Sequence, residues 1–405
     1  MKKVPKTVLN WFGKHWRGVL VSIILSVLAV VTLSLQLSSL VPGQNRFETE
    51  TLAIIEKFPT PWERAVNAPY TIPAHLLGNA INDPLHAARI VSVAYGLIAT
   101  ALMFYVVRSW FNIKIATVGT LLFITSSWLL HTTHQATPII LLVFGPLLAV
   151  AALTWFLRTK KYKTLSFFLL AAALALTAYI PYMPWIVLVA FIVIVFVEKK
   201  IIKDLKTWQI ITAASIYTLI LLPLFASLIK YPGQLHELLG IPKVLPSLAI
   251  YFDQFIYTFS MIAFRSAPFP ELHLGRLPML DIFSAAMFAL GIYYFAVRIK
   301  TRRSIILFSS MVLLFILVPL SPLYQLSATI LMSFVFLCVI SGIVELLNQW
   351  FAYFPRNPWA RNFGVAMIVV AIGFASFYHL ERYFIAWPNT PETKSVYIVV
   401  SNPKP

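Results

Sequence analysis

The chain has 405 residues, 60% of them hydrophobic and 11% charged, with a mean hydropathy of +0.82. These values exclude an ordinary soluble domain and predict an all-α polytopic membrane protein. The formal net charge of +18 therefore reads as cationic loops on one membrane face, with no nucleic-acid partner implied. One cysteine, Cys338, leaves no internal disulfide to consider.

The basic N-terminal stretch MKKVPKTVLNWFGKHWRG precedes an apolar run from Val19 to Leu35, and no A-x-A site follows it. That pattern predicts an uncleaved signal-anchor. Apolar runs at 19–41, 87–107, 115–131, 138–157, 164–180, 183–197, 208–229, 280–298, 304–320, 323–345 and 363–384 predict about eleven transmembrane helices. Pro181 and Pro184 interrupt the pair at 164–197. The stretch 247–264 is apolar but carries Asp253, which predicts an interfacial or re-entrant segment.

Charge sets the orientation. Lys and Arg gather at 1–17, 158–163, 199–206 and 298–303, whereas the turns at 132–137, 181–182 and 321–322 hold none. Short loops obey the positive-inside rule best, so the prediction is N-in and C-out. One membrane domain then covers 1–385, with outer loops at 42–86 and 230–279 and a short extracytoplasmic tail at 386–405. Both loops are too short for independent domains and are expected to fold together. The span centres lack Asp, Glu, Lys, Arg and His. Ion-coupled carriers place such groups near the midplane, so a transporter is disfavoured.

The first outer loop holds five of the chain's fourteen acids: Glu48, Glu50, Glu56, Glu63 and Asp83. Phe47, Thr51, Ile54, Ile55 and Phe58 recur at helical spacing and predict a short helix lying on the membrane. Asn45 and Glu48 have the spacing of a capping box. The other reading of Glu48, or of Glu50, is a general base for an acceptor hydroxyl. Residues at i and i+2 point to different sides of a helix, so only one can be central. NAPYTIPAHLLG (67–78) predicts a second interfacial helix, while Glu56, Lys57, Glu63 and Arg64 read as a solvated face. His131 and His134 could bind a divalent metal with a loop carboxylate, but they lack a local acid or Cys, which favours a hydrogen-bonding role. In the second loop, Arg265, Glu271, His273 and Arg276 are expected to hold a lipid phosphate. Arg89, His131 and His134 extend that set at the outer ends of the second and third spans.

The acidic outer loop, HAARIVSVAYGLIATALMFYVVRSWF (86–111) and LLFITSSWLLHTTHQA (121–136) together resemble the GT-C superfamily. The likeness is to its protein O-mannosyltransferase and aminoarabinose-transferase branch, glycosyltransferase family 39-like. LHLGRLPMLDIFSAAMFALGIYY (272–294) and YQLSATILMSFVFLCVISGI (324–343) extend it over most of 1–385. The resemblance implies a polyprenyl-phosphate-linked sugar donor, a setting among the lipids of the cell membrane, and transfer on its outer face. It also implies an acidic residue of the first loop as base, with Glu48 or Glu50 standing where it is expected. The chain departs from the pattern after the third span. There, His134 stands near an expected Arg, and Gln135, Ala136 and Thr137 supply no acid. Two functions remain open at this point: a membrane glycosyltransferase, or a non-catalytic scaffold of the same fold that binds a lipid-linked glycan.

Overall fold

A computed structural model describes residues 6–58, 60–197 and 205–398. The cationic stretches 1–5 and 198–204 noted above lie outside these. Among the described residues the fold is helical, and the sole extended pairing is one antiparallel bridge between Gln44 and Ile398.

Helices begin where a short polar side chain can accept a hydrogen bond from a first-turn N–H. After α1 (Lys6–Ser34), Asn45 caps α2 (Arg46–Lys57). Next come α3 (Ala68–Ile81) and α4 (Pro84–Trp110), the latter capped by Asp83. Asn112 caps α5 (Ile113–Thr125), and Ser126 caps α6 (Ser127–His134). The two short helices expected in the first outer loop are thus α2 and α3. The expected span at 115–131 is broken at Ser126, where α5 and α6 meet at 58°. The cause is local. Ser126 takes an extended ψ of 132° and its hydroxyl accepts from the Leu129 N–H, which restarts the helix on a new axis.

The remaining elements are α7 (Leu141–Arg158), α8 (Lys163–Thr177), α9 (Met183–Ile192), α10 (Thr207–Lys230), α11 (Gly233–Leu239), α12 (Leu248–Ala263) and α13 (Ile282–Val297). Then follow α14 (Arg302–Leu317), α15 (Tyr324–Ser327), α16 (Met332–Tyr353), α17 (Pro358–Glu381) and α18 (Pro391–Val396). Among the described residues, six stretches are long and apolar enough to cross a bilayer: Pro84–Trp110, Pro138–Arg158, Thr207–Lys230, Arg302–Leu320, Tyr324–Tyr353 and Pro358–Asn389. The bent α5–α6 pair makes a seventh if taken as one span. The stretches expected to span are mainly helical; Lys163–Thr177, Met183–Val195 and Ile282–Val297 are shorter than the rest, whereas α1 runs over 29 residues. At 1.5 Å per residue, sixteen residues reach about 24 Å, less than a hydrocarbon core of about 30 Å. Among the described residues, length and composition together give six spans, or seven with the bent pair. The stretch 247–264 is the sixteen-residue α12.

The core lies between α4, α5, α7, α13 and α16. α13 and α16 approach through glycine. A Cβ on Gly291 would lie 1.8 Å from the Cys338 carbonyl oxygen, and one on Gly342 would lie 1.9 Å from that of Met287. Small residues at a helix crossing let backbones pack closely where burial of apolar surface gives no advantage over lipid.

Candidate functional site

The two long loops, at 42–86 and 230–279, meet around α2. Its capping box is formed as the spacing predicts: Asn45 Oδ1 accepts from the Glu48 N–H at 3.0 Å, and Glu48 Oε2 accepts from the Asn45 N–H at 3.1 Å. This box turns Glu48 inward, where it is 0% exposed. Oε1 accepts from Arg89 Nε at 3.1 Å and from the Ala136 N–H at 2.8 Å, while Oε2 also takes Arg89 Nη2 at 3.3 Å. Arg89 donates in addition to the Gly43 carbonyl at 2.9 Å. Both carboxylate oxygens are therefore occupied, and the carboxylate joins α2, α4 and the turn after α6.

The second loop closes over this joint. Arg46 pairs with the buried Glu271 at 3.3 Å, and the rings of Phe47 and Phe269 lie 6.0 Å apart. Gln135 Nε2 donates to the Glu271 carbonyl. His273 is buried and its Nε2 lies 2.7 Å from Ser266 Oγ. Burial, reinforced by the nearby Arg382 cation, pushes its pKa down to about 3. The segment after α17 covers the other side. Trp387 donates to the Pro270 carbonyl at 2.7 Å, and Asn45 Nδ2 donates to the Tyr397 hydroxyl at 3.1 Å. Residues 387–398 thus fold back onto the first loop. His131 lies edge-on against Tyr383 and Trp387, with ring centroids 4.7 and 4.6 Å away. His134 Nε2 lies 3.0 Å from the Leu33 carbonyl.

Among the described residues no group of three His, Cys, Asp or Glu side chains could hold a metal ion. His134 takes the hydrogen-bonding role through the Leu33 carbonyl, whereas His131 packs edge-on against the two rings and neither of its ring nitrogens has a hydrogen-bond partner among the described residues.

On the opposite face of α2 lies a cavity of about 460 Å³. Two residues along a helix is a turn of about 200°, so Glu50 points here while Glu48 points into the joint. Glu50 is exposed and has no hydrogen-bond or ion-pair partner among the described residues. Arg64, His236 and Glu237 line the same space, with walls from Ile54, Leu142, Tyr182 and Leu326. Arg64 and Glu237 pair across its rim at 3.5 Å. The first loop is anchored to this side as well: Gln234 Nε2 and the Ser227 hydroxyl both donate to the Glu63 carbonyl, at 2.7 and 3.1 Å.

Of the candidate catalytic and phosphate-binding residues, Glu50 lines this cavity. Glu48, Arg89, Glu271, His273, His131 and His134 lie in the packed joint, and Arg265 and Arg276 are exposed on the second loop. Arg64, His236 and Glu237, which the sequence reading passed over or left on a solvated face, belong to the cavity. They come from separate loops, and no local spacing connects them.

Residues 69–236 match the family model described as dolichyl-phosphate-mannose-protein mannosyltransferase. No curated protein matches the chain in sequence. Among solved structures, the chain is similar to ArnT from Cupriavidus metallidurans in the apo state. The TM-score is 0.54 at 11% identity, over 91% of this chain and 74% of that one. ArnT bound to undecaprenyl phosphate gives 0.52 at 13%, over 92% and 75%. The archaeal oligosaccharyltransferase AglB from Archaeoglobus fulgidus, in complex with an inhibitory peptide and a dolichol-phosphate, gives 0.58 at 15%, over 98% and 61%. The chain thus spans about three fifths of the length of AglB. At these identities the likeness is one of fold.

Proposed function

We propose that this chain is a divergent member of the GT-C superfamily of membrane glycosyltransferases, and that it transfers a sugar from a polyprenyl-phosphate donor on the extracytoplasmic face of the cell membrane. The acceptor is a lipid, glycan or protein hydroxyl. The observation that carries this reading is Glu50, an unpartnered carboxylate on the wall of a cavity of about 460 Å³. Glu50 takes the proton of the acceptor hydroxyl. The acceptor oxygen attacks the anomeric carbon of the sugar, and the bond from that carbon to the phosphate oxygen breaks, its electron pair leaving with the polyprenyl phosphate. Arg64 and His236 are the cation-forming groups on the cavity wall, suited to the charge that develops on the departing phosphate. The bound polyprenyl phosphates of ArnT and AglB support the donor class.

The test is sugar transfer by purified protein from a panel of polyprenyl-phosphate sugars, comparing wild type with Glu50→Gln. Loss of a positioned base slows turnover by roughly 10²–10⁴-fold. Unchanged turnover in Glu50→Gln removes this residue from the mechanism. One observation favours a second reading, a scaffold that holds a lipid-linked glycan without transferring it: Glu48, the other acidic candidate, is fully engaged in the joint. Donor binding without transfer to any acceptor establishes that reading.

A further inference from the structure

The other end of the helix bundle carries a second cavity. Arg89 and Trp110 are twenty-one residues apart on α4, about 32 Å at 1.5 Å per residue, so the two ends are separated by roughly one hydrocarbon thickness. A cavity of about 540 Å³ opens beside Trp110, between the ends of α7 and α13 and the start of α14. Arg158, Arg298, Lys300, Arg302 and Arg303 line it, with no carboxylate among the lining residues. Val150, Leu153, Leu157 and Ile306 form its inner wall.

Two of the arginines are held in place. Arg303 Nη1 donates to the Trp110 carbonyl at 2.8 Å, and its guanidinium lies 5.5 Å from the Trp110 ring. Arg298 lies 4.2 Å from the Tyr294 ring and pairs with Glu345 at 3.2 Å. Arg158 and Arg303 repel one another across the space. The lining itself is cationic, and Glu345 faces it through Arg298. Positive-inside bias accounts for cations in loops. It does not account for their convergence on a hollow with an apolar inner wall. Free phosphate would match the cations but leave that wall against water. A phospholipid matches both, with its phosphate among the guanidinium groups and its acyl chains on the apolar flank. Val297 and Ile299, exposed beside Arg298, continue that flank.

We propose that this cavity binds the phosphate headgroup of an anionic phospholipid, at the end of the bundle opposite the α2 cavity. Guanidinium forks match phosphate oxygens, and basic pockets between transmembrane helices are suited to anionic headgroups.

The test uses the full chain in phosphatidylcholine nanodiscs doped with dioleoylphosphatidylglycerol. Native mass spectrometry reads the retained anionic lipid. Wild type retains it in preference to phosphatidylcholine, and Arg158→Gln/Lys300→Gln weakens retention by roughly tenfold or more, since each cation near the surface matters. Neither residue belongs to the joint or to the α2 cavity. Lys114→Gln/Arg356→Gln removes the same charge from the same end outside the cavity and leaves retention unchanged. Equal losses in both double variants reveal general surface attraction and overturn the proposal. So does retention in Arg158→Gln/Lys300→Gln equal to wild type, or no preference in wild type. A third arm adds sodium phosphate; complete displacement of the lipid at low millimolar phosphate identifies a free-anion site and overturns the lipid assignment.

Discussion

Glu48 and Arg89 form a buried, two-pronged ion pair, Oε1 to Nε at 3.1 Å and Oε2 to Nη2 at 3.3 Å, with side chains 0% and 5% exposed. Removing one partner of such a pair leaves the other charge buried without compensation and costs about 3–5 kcal/mol. Glu48→Ala and Arg89→Ala are therefore expected to lower the thermal midpoint sharply, whereas Glu50→Gln leaves it near wild type. Differential scanning fluorimetry in detergent separates the two. Equal midpoints for Glu48→Ala and Glu50→Gln contradict the assignment of Glu48 to the joint.

His273 makes stability depend on pH. Its folded pKa of about 3 lies below the unfolded value of about 6.5. Above pH 6.5 both states are neutral and the residue contributes nothing. As pH falls below 6.5 the unfolded chain gains a proton that the native site refuses, so stability declines towards pH 3. The loss amounts to about 2 kcal/mol by pH 5. His273→Gln should flatten the midpoint-versus-pH curve between 6.5 and 4. A curve parallel to wild type there removes His273 as a source of acid sensitivity.

The glycine contact between α13 and α16 has its own test. The Cys338 and Met287 carbonyls belong to helix backbone and cannot swing aside. Gly291→Val is expected to separate the helices and reduce yield of folded protein on size-exclusion chromatography. Gly373→Ala, where nothing lies within 4 Å, is expected to behave as wild type. Identical profiles argue that α13 and α16 do not touch at Gly291.

Orientation is open to direct measurement. The N-in arrangement expects reporter fusions after Lys161 to read cytoplasmic and those after Trp62 and Gly240 to read external. Trp62 and Gly240 flank segments joined by the Arg64–Glu237 pair, so opposite readings at these two positions are incompatible with the fold.

Much of the architecture was legible in the sequence because its determinants are local. Hydrophobic runs gave the helices, and Asn45 with Glu48 gave the start of α2. The break at Ser126 was missed because one serine barely interrupts an apolar average. Hydropathy marked eleven apolar runs, and among the described residues six of the helices, or seven with the bent pair, are long and apolar enough to cross a bilayer. The site was legible only in part. That Glu48 and Glu50 face apart follows from helix geometry. Which one is consumed depends on Arg89, forty-one residues away, and on Ala136. Long-range pairing of this kind leaves no periodic trace. The place where residues of the second loop, with Arg89, His131 and His134, were expected to hold a lipid phosphate is packed by Gln135, Phe269 and Glu271, and the space lies on the far side of α2.

The bond between Asn45 and Tyr397 joins residues 352 positions apart, and the Gln44–Ile398 bridge lies beside it. This has a consequence for biogenesis. The first outer loop emerges early in translation, and the Glu48–Arg89 pair can close once α4 has been made. Its last partners do not exist until nearly all the remaining helices have been inserted. This end of the bundle is therefore completed late, and a nascent chain stalled within α17 presents a first loop whose Asn45 amide still lacks its tyrosine.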